Sequence, residues 1–546
     1  MKRHLLILTL LINNSVYSLA QSPAWQWAKS AGGMFGDVGI GISTDANGNV
    51  LAAGNFVSDS ITFGSITLTN TGNFGAGDIW IVKYDASGNV LWAKSEGGTG
   101  IDYVTAITTD ISENVLVTGS FSSDSITFGT TTLVNGGGSP DIYIVKYDAA
   151  GNVLWAKSAG GTSYVDGTAI STDGSGNVLI TGFFQSPSIT FGTTVLTNAG
   201  SDDIFVVKYD SAGNVVWAKG SGGNDYDKGN GISCDADANV LVTGYFRSPS
   251  TAFDTIVLTN AGDEDIFVVK YDSSGNVLWA QSAGGTSGEE GRCISTDFTG
   301  NVLMSGIYEG PDITFGTTVL TNTLSGLREV FVVKYNTSGN VLWAQSGGGI
   351  YTEEPNGITT DGSGNVLVTG YFQSPSITFG TNVLTTAGFQ DIFIVKYDSS
   401  GNDLWAKSAG GTDDDRGNSI SADANGNILI TGYFYSPSIV FGATSLINTD
   451  SIGIPDLFVA KLDSTSITGI AEEYNASYSI TIFPNPVNSI LNLFLNTKEN
   501  ILITNLTGEI LLQKDANGKV ELDISCLSPG LYFIKAGNEV RKFVKE

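Results

Sequence analysis

GNVLWAKSAGG, residues 151–161, decides how this chain is read. Near copies recur along it. Their tryptophans are Trp27, Trp92, Trp155, Trp217, Trp279, Trp343 and Trp405, at steps of 65, 63, 62, 62, 64 and 62 residues. Seven copies at one period indicate a repeat architecture, in which each unit buries its apolar face against the next. That reading replaces the roughly three or four domains that length alone would suggest.

Residues 166–217 show what one unit builds. Ala169-Ile170-Ser171-Thr172 is a short strand. Asp173 to Asn177 (DGSGN) is a tight turn in which glycine accepts a positive φ. Val178–Phe184 (VLITGFF) is a second strand. A connector with Ser188-Ile189-Thr190-Phe191-Gly192 and Val195-Leu196-Thr197, itself a candidate hairpin, leads to a third strand, Asp203–Tyr209 (DIFVVKY). Asp210 to Asn214 turns the chain into a fourth, Val215–Lys219 (VVWAK). Four antiparallel strands joined by hairpins describe a propeller blade.

Two spacings are constant: 15 residues from each Trp to the next first-strand Ile, and 9 from each third-strand Lys but the last to the next Trp. Only the interval from the connector Phe to the third-strand Lys varies, from 17 to 20 residues. Insertions collect where backbone loops into water, so the connectors are predicted at the surface. The last third strand, Asp456–Leu462, has no Trp nine residues after Lys461. The missing fourth strand stands at the other end, as Trp25–Ser30 (WQWAKS). The expected fold is all-β: a seven-bladed β-propeller closed by its N-terminal strand, with no long inter-blade edge left open.

Residues 1–20 read as a secretory signal, with Lys2, Arg3 and His4 ahead of the apolar run Leu5–Ile12 and small residues at Ser18-Leu19-Ala20. No other segment is apolar enough to cross a membrane as a helix. Without that leader the chain has 24 basic and 54 acidic residues, a formal charge of −30, and no histidine. Ser-His-Asp triads, Cys-His pairs and histidine metal sites are thereby excluded. The charge excludes nucleic acid, whose phosphates need a basic face. Cys234, Cys293 and Cys526 make no disulfide framework and read as small hydrophobes, although Cys234 and Cys293 fall near one strand of adjacent repeats.

Units such as Ile170–Phe184 followed by DIFVVKYDSAGNVVWAKGSGG (residues 203–223) resemble the bacterial β-propeller repeat family called SBBP. The resemblance covers roughly residues 24–463 of the predicted propeller, residues 21–463. It implies an extracellular protein and says little about activity.

Residues 464–478 read as a polar linker. From residue 479 a small β-sandwich is expected. Its strands are Ile490–Leu495, Ile501–Ile503 and Ile510–Leu512, with a turn at Asn505–Glu509, and a further strand enters through Ser528-Pro529-Gly530-Leu531-Tyr532. Pro484, Asn485, Pro486, Gly508, Pro529, Gly530 and Tyr532, with the basic end Arg541-Lys542-Phe543-Val544-Lys545, resemble the C-terminal sorting domain of the type IX secretion system (residues 479–546). The resemblance implies the secretion machinery as a partner, periplasmic transit, and release or attachment at the outer-membrane surface.

Each repeat carries a carboxylate before its first strand: Asp37, Asp102, Asp166, Asp227, Glu290, Glu354 and Asp415. They are expected to form an acidic ring around one mouth of the propeller, on the connector face. Recurrence favours a structural role in which each accepts backbone N–H bonds. A calcium ion or cationic ligand is the sharper reading. No other cofactor is expected. The turns at Asp45–Asn49 and Asp423–Asn427 resemble calcium loops but lack the closing acid. The repeated Trp reads as inter-blade packing, the repeated third-strand Lys as paired with a carboxylate or laid across a Trp, and Trp80, outside the pattern, as exposed. The function expected is a non-enzymatic surface or secreted adhesion scaffold binding a glycan or extracellular protein. The alternatives are a carbohydrate-active enzyme using paired carboxylates and a purely structural surface protein.

Overall fold

In the computed structural model, residues 23–72, 75–322, 324, 326–449, 453–463, 480–483, 487–505, 509–536 and 539–545 are described. The expected leader, the linker, and Pro484, Asn485, Pro486 and Gly508 lie outside them. The chain divides into two units, one of them Ser22–Ile467 and the other holding the strands from Ile480 onward.

In the first unit each repeat folds as read. Val165–Thr172, Val178–Phe184, Asp203–Tyr209 and Val215–Ser221 pair antiparallel in that order. The first strand is longer than the four residues expected. The second and third strands are buried at every position. Both of their faces are covered by neighbouring sheets, which is why their sequences run continuously apolar instead of alternating. Trp80 sits on such a strand, Asp78–Tyr84, and is fully buried, with its indole N–H donating to the Val38 carbonyl at 3.2 Å. The expectation of exposure is corrected: Trp80 occupies the position of Tyr143, Phe205 and Phe267, where a strand covered on both sides leaves no outward face.

The connector forms a two-stranded hairpin, Ser188–Phe191 with Thr194–Thr197, that buries Ile189, Phe191 and Leu196. The segment of varying length lies between this hairpin and the third strand. Four-stranded sheets of this kind repeat along the unit and make it an all-β, propeller-like fold. Their first strands are Asp37–Thr44, Asp102–Thr109, Val165–Thr172, Asp227–Cys234, Glu289–Thr296, Glu353–Thr360 and Asp415–Ala422. The last sheet takes its fourth strand from Trp25–Ala31, which pairs antiparallel with Asp456–Leu462 (Trp27 opposite Lys461, Ala31 opposite Leu457).

Neighbouring sheets are tied at fixed positions. The Asp102 N–H donates to the Gly77 carbonyl at 3.0 Å, the Asn356 amide to the Gly417 carbonyl at 3.0 Å, and the Thr360 hydroxyl to the Thr296 carbonyl at 3.2 Å. The same three ties join the last sheet and the first: Asp37 N–H to Pro455 at 2.9 Å, Asn418 to Gly39 at 2.7 Å, and Thr44 to Ala422 at 3.2 Å. The indole N–H of Trp155 donates to the Ser211 carbonyl in the next sheet at 3.1 Å, and that of Trp27 to Ala86 at 3.2 Å. The repeated Trp is therefore packing, as its constant register implies.

In the second unit the strands expected at Ile490–Leu495 and Ile501–Ile503 are one strand, Ile490–Thr504, whose register shifts between Leu495 and Glu499. Its first half pairs with Ile480–Phe483 and its second with Gly530–Ala536, while Ile510–Asp523 runs along both. The five strands are hydrogen-bonded into one continuous sheet through this long strand. Leu491, Leu493 and Leu522 share a core with Ile501, Ile503 and Ile534. No helix among the described residues is long and apolar enough to cross a membrane.

Candidate functional site

The two ends of the first strands differ. At one end the turn into the second strand is the same seven times. In Asp45–Asn49 the Asp45 carboxylate accepts the N–H groups of Asn47 and Asn49 and the Asn49 side-chain amide, at 2.8–3.0 Å. Its Oδ2 also meets the buried Lys83 ammonium at 2.8 Å. The pairs Lys146–Asp110, Lys208–Asp173, Lys270–Asp235, Lys334–Asp297, Lys396–Asp361 and Lys461–Asp423 repeat it at 2.8–2.9 Å. Burial alone would raise these carboxyls, but the lysine and asparagine bonds outweigh it and hold them below the usual range. The repeated lysines are thus paired with carboxylates, and the calcium-like turns have their oxygens engaged by the protein itself.

At the other end, where connectors meet the loops that precede the first strands, the seven expected acids divide into two sets. Asp37, Asp102, Asp227 and Asp415 are the first residues of their strands and are fully buried. Asp227 accepts N–H groups from Gly223, Arg247 and Ser248 and the Ser248 hydroxyl, at 2.7–3.1 Å. Asp37, Asp102 and Asp415 do the same with Ser58, Ser123 and Ser436. These four hold their own loops. Burial pushes Asp37 up to about 6 and Asp415 up to about 7.

Asp166, Glu290 and Glu354 stand one residue further along, opposite Phe183, Ile307 and Tyr371. One step along a strand turns a side chain to the other face. The single ring expected from the sequence is therefore two sets with different surroundings. The strand-opening position in their sheets belongs instead to Val165, Glu289 and Glu353.

This second position reads Val38, Tyr103, Asp166, Lys228, Glu290, Glu354 and Arg416 around the repeats. It is different in nearly every sheet, on a scaffold that hardly changes. Around Asp166, the Ser120 hydroxyl donates at 2.7 Å and the Tyr164 hydroxyl at 3.3 Å, and Tyr164 shares a 2.5 Å hydrogen bond with Tyr103. Burial raises the Asp166 carboxyl. It raises both phenols as well, with Asp166 adding to the shift. Glu354 meets Arg292 at 2.5 Å and Arg328 at 2.8 Å, while Arg292 also reaches Glu290 and Arg328 also reaches Glu309. Against the upward pull of burial, the two guanidiniums keep Glu354 below its usual range. Lys228 pairs with buried Asp202 at 3.1 Å and lies 4.1 Å from the Phe183 ring centroid. Arg416 lies over Tyr371 at 4.3 Å and donates to Gln390 at 2.7 Å.

The surrounding loops leave Met34, Ile101, Tyr226, Ile350, Tyr351 and Phe389 exposed. Tyr103, Tyr164, Arg292, Arg328 and Arg416 were missed by reading for recurring acids. Their signal is the opposite one, disagreement between repeats at a fixed offset from the first-strand Ile. No group of three or more His, Cys, Asp or Glu among the described residues could hold a metal ion. The three cysteines are free, and burial pushes the Cys234 thiol up to about 12 and the Cys293 thiol up to about 11. A groove of about 330 Å³ beside the hairpin of the third repeat is lined by Phe191, Gly192 and Tyr209, which recur in most or all repeats, so it is not an asymmetric site.

Residues 481–546 match the secretion system C-terminal sorting domain. An uncharacterized WD repeat-containing protein, L264, of Acanthamoeba polyphaga mimivirus is 28% identical over 517 residues, covering 78% of this chain and 37% of that protein. Regulatory protein FlaEY of Caulobacter vibrioides is 22% identical over 348 residues, covering 60% of this chain and 35% of that one. The chain thus spans little more than a third of either relative. The WD40 β-propeller domain of Doa1 is 9% identical with a TM-score of 0.40, covering 82% of this chain and 98% of that one. A propeller-like body of repeated four-stranded sheets is followed here by a type IX secretion sorting domain, which marks the chain for export to the cell surface or beyond it.

Proposed function

We propose that this protein is an exported, non-enzymatic binding scaffold: a closed seven-bladed propeller of SBBP-type repeats that takes a glycan or extracellular protein ligand at the variable mouth. The observation that carries the reading is the contrast within each first strand. One end repeats an Asp–Lys pair seven times, and the other gathers Tyr103, Tyr164 and Asp166 on one side and Arg292, Glu354, Arg328 and Arg416 on the other. A scaffold has no need of such variety, whereas a ligand surface does. Tyrosines beside charged groups offer ring faces and hydrogen bonds together, the combination that suits sugars and polar protein surfaces. Closure is supported by the pairing of Trp25–Ala31 with Asp456–Leu462 and by the three ties that join first and last sheets as they join neighbours.

The test uses the full chain on a glycan array, beside an assay for sugar release from polysaccharide. Array binding without release is expected. Tyr164→Phe and Arg416→Ala should weaken it at least about tenfold, a loss of roughly 1.4 kcal/mol, with little change in melting temperature. Sugar release lost in Asp166→Asn would replace this reading with the carbohydrate-active enzyme. Neither binding nor release would leave a structural coat protein.

A further inference from the structure

Six of the seven first strands open on a buried carboxylate, and in five of them a serine 21 residues on donates its hydroxyl to it: Ser58, Ser123, Ser248, Ser374 and Ser436. The fifth repeat breaks this rule. Its carboxylate is Glu289, longer by a methylene than the Asp of most repeats, and the serine position is Gly310. Glu289 is 0% exposed. Its Oε2 accepts the Gly285 N–H at 2.7 Å. Its Oε1 accepts no hydrogen bond among the described residues, although the Gly310 N–H faces the carboxylate. The Glu289 N–H donates to the Glu264 carbonyl of the preceding sheet at 2.9 Å, which sets the next residue, Asp265, beside it: 2% exposed, with Oδ2 accepting the Ala261 N–H at 2.9 Å and Oδ1 without a hydrogen-bond partner among the described residues. Neither carboxylate has an ion pair among the described residues.

The space left by the missing serine is bounded by oxygen. A Cβ added to Gly310 would lie 3.2 Å from Glu289 Oε1 and 3.4 Å from the Asp312 carbonyl oxygen. One added to Gly285 would lie 3.6 Å from each of the same two atoms. We infer that the joint between the fourth and fifth sheets binds one hard divalent cation of the calcium class. Glu289 Oε1 and the Asp312 carbonyl are its ligands, and Asp265 Oδ1 supplies the second negative charge. Carboxylate and backbone carbonyl oxygens are the donors such ions take. A water in this space would satisfy one lone pair, whereas a divalent ion engages the Glu289 carboxylate and offsets the charge of Asp265 at once. An aspartate with a bare Oδ1 recurs beside the serine-capped acids, as Asp78, Asp203 and Asp391, but there a serine hydroxyl fills the space, so one ion per chain is expected. The inference is independent of what the mouth binds.

The test is calcium titration of the chelator-stripped full chain by calorimetry, with melting followed in parallel. Wild type should bind one calcium and melt several degrees higher at millimolar calcium. Gly310→Ser, which restores the residue of the other repeats, should lose the site and the calcium-dependent shift while melting at or above the stripped wild type. Asp265→Asn should weaken binding at least tenfold, and Glu353→Gln, in the serine-capped sixth repeat, should leave it unchanged. No stoichiometric binding by wild type, or undiminished binding by Gly310→Ser, overturns the inference. So does a crystal grown in calcium with only water on Glu289.

Discussion

The two ends of each first strand were built from the same repeat and have diverged in opposite senses. At the turn end, Asp45 and its six counterparts hold their lysines at 2.8–2.9 Å, nearly buried, and no sheet departs from the arrangement. At the mouth end, Val38, Tyr103, Asp166, Lys228, Glu290, Glu354 and Arg416 share one backbone position and little chemistry. The first end ties strands within a sheet, and its lysines also reach the next sheet's turn, Lys83 to the Ala149 carbonyl at 3.4 Å and Lys146 to the Ser211 carbonyl at 3.3 Å. The mouth end has its own backbone ties, such as Asp102 N–H to Gly77, and these leave the next side chain along each strand free to vary. The difference teaches that in a repeat protein the copied residues report on assembly and the uncopied ones on function.

The comparison can be broken most severely at the turn end. Lys208→Met should leave Asp173 as a buried charge without its partner and cost about 3–5 kcal/mol in urea unfolding. A cost under 1 kcal/mol would show the pairs to be incidental. Next comes Trp27→Ala, which removes the packing and the Ala86 hydrogen bond at the junction of first and last sheets. We expect about 2–3 kcal/mol, comparable to Trp217→Ala inside the array. A negligible effect would mean that the N-terminal strand does not complete the structure.

A smaller and more distributed effect is expected from pH. Burial pushes Asp37 and Asp203 up to about 6, and Asp415, Glu289 and Glu353 up to about 7. With folded values above unfolded ones, their contribution is complete below about pH 4 and is lost as pH rises toward 7, because the folded state binds more protons in that window. The turn-end aspartates, held low, weaken the fold only below about pH 4. Calorimetry should therefore find the melting temperature higher at pH 5 than at pH 8, with the fall reduced in Asp415→Asn. A rise from pH 5 to 8 would contradict the assignment. Least of all should come from the mouth itself: Arg247→Ala breaks an exposed pair with Asp263 and should change stability by under about 1 kcal/mol.

Much of this was legible beforehand. The 15-residue interval from Trp to Ile located every first strand, and the absence of a Trp after Lys461 pointed to the strand that stands opposite it. Three things were not legible. Trp80 looked exceptional because it differs from its counterparts in kind, yet it fills the same covered position as Phe205. In the second unit, Ile490–Thr504 looked like two strands because polar Asn496 to Asn500 interrupts its apolar run, whereas the chain passes through with only a shift in register. The acids before each first strand looked like one ring because each was the first carboxylate met going back from its Ile. Asp227 lies five residues before Ile232 and Glu290 four before Ile294, and that single residue decides which face each side chain takes.

The chain by itself determined what is local: the period, the strands, the glycine-bearing turns, and the sorting segment at its end. Strand alternation and turn geometry are set by neighbours a few residues away, and these are written side by side in the sequence. Which oxygens would be capped, which left bare, and which arginine would reach which glutamate was decided only by tertiary structure. Arg292 finds Glu354, and Asp265 comes beside Glu289, across the joint between adjacent sheets, some 62 residues apart in the first case and 24 in the second. Nothing in either residue's local sequence specifies that encounter.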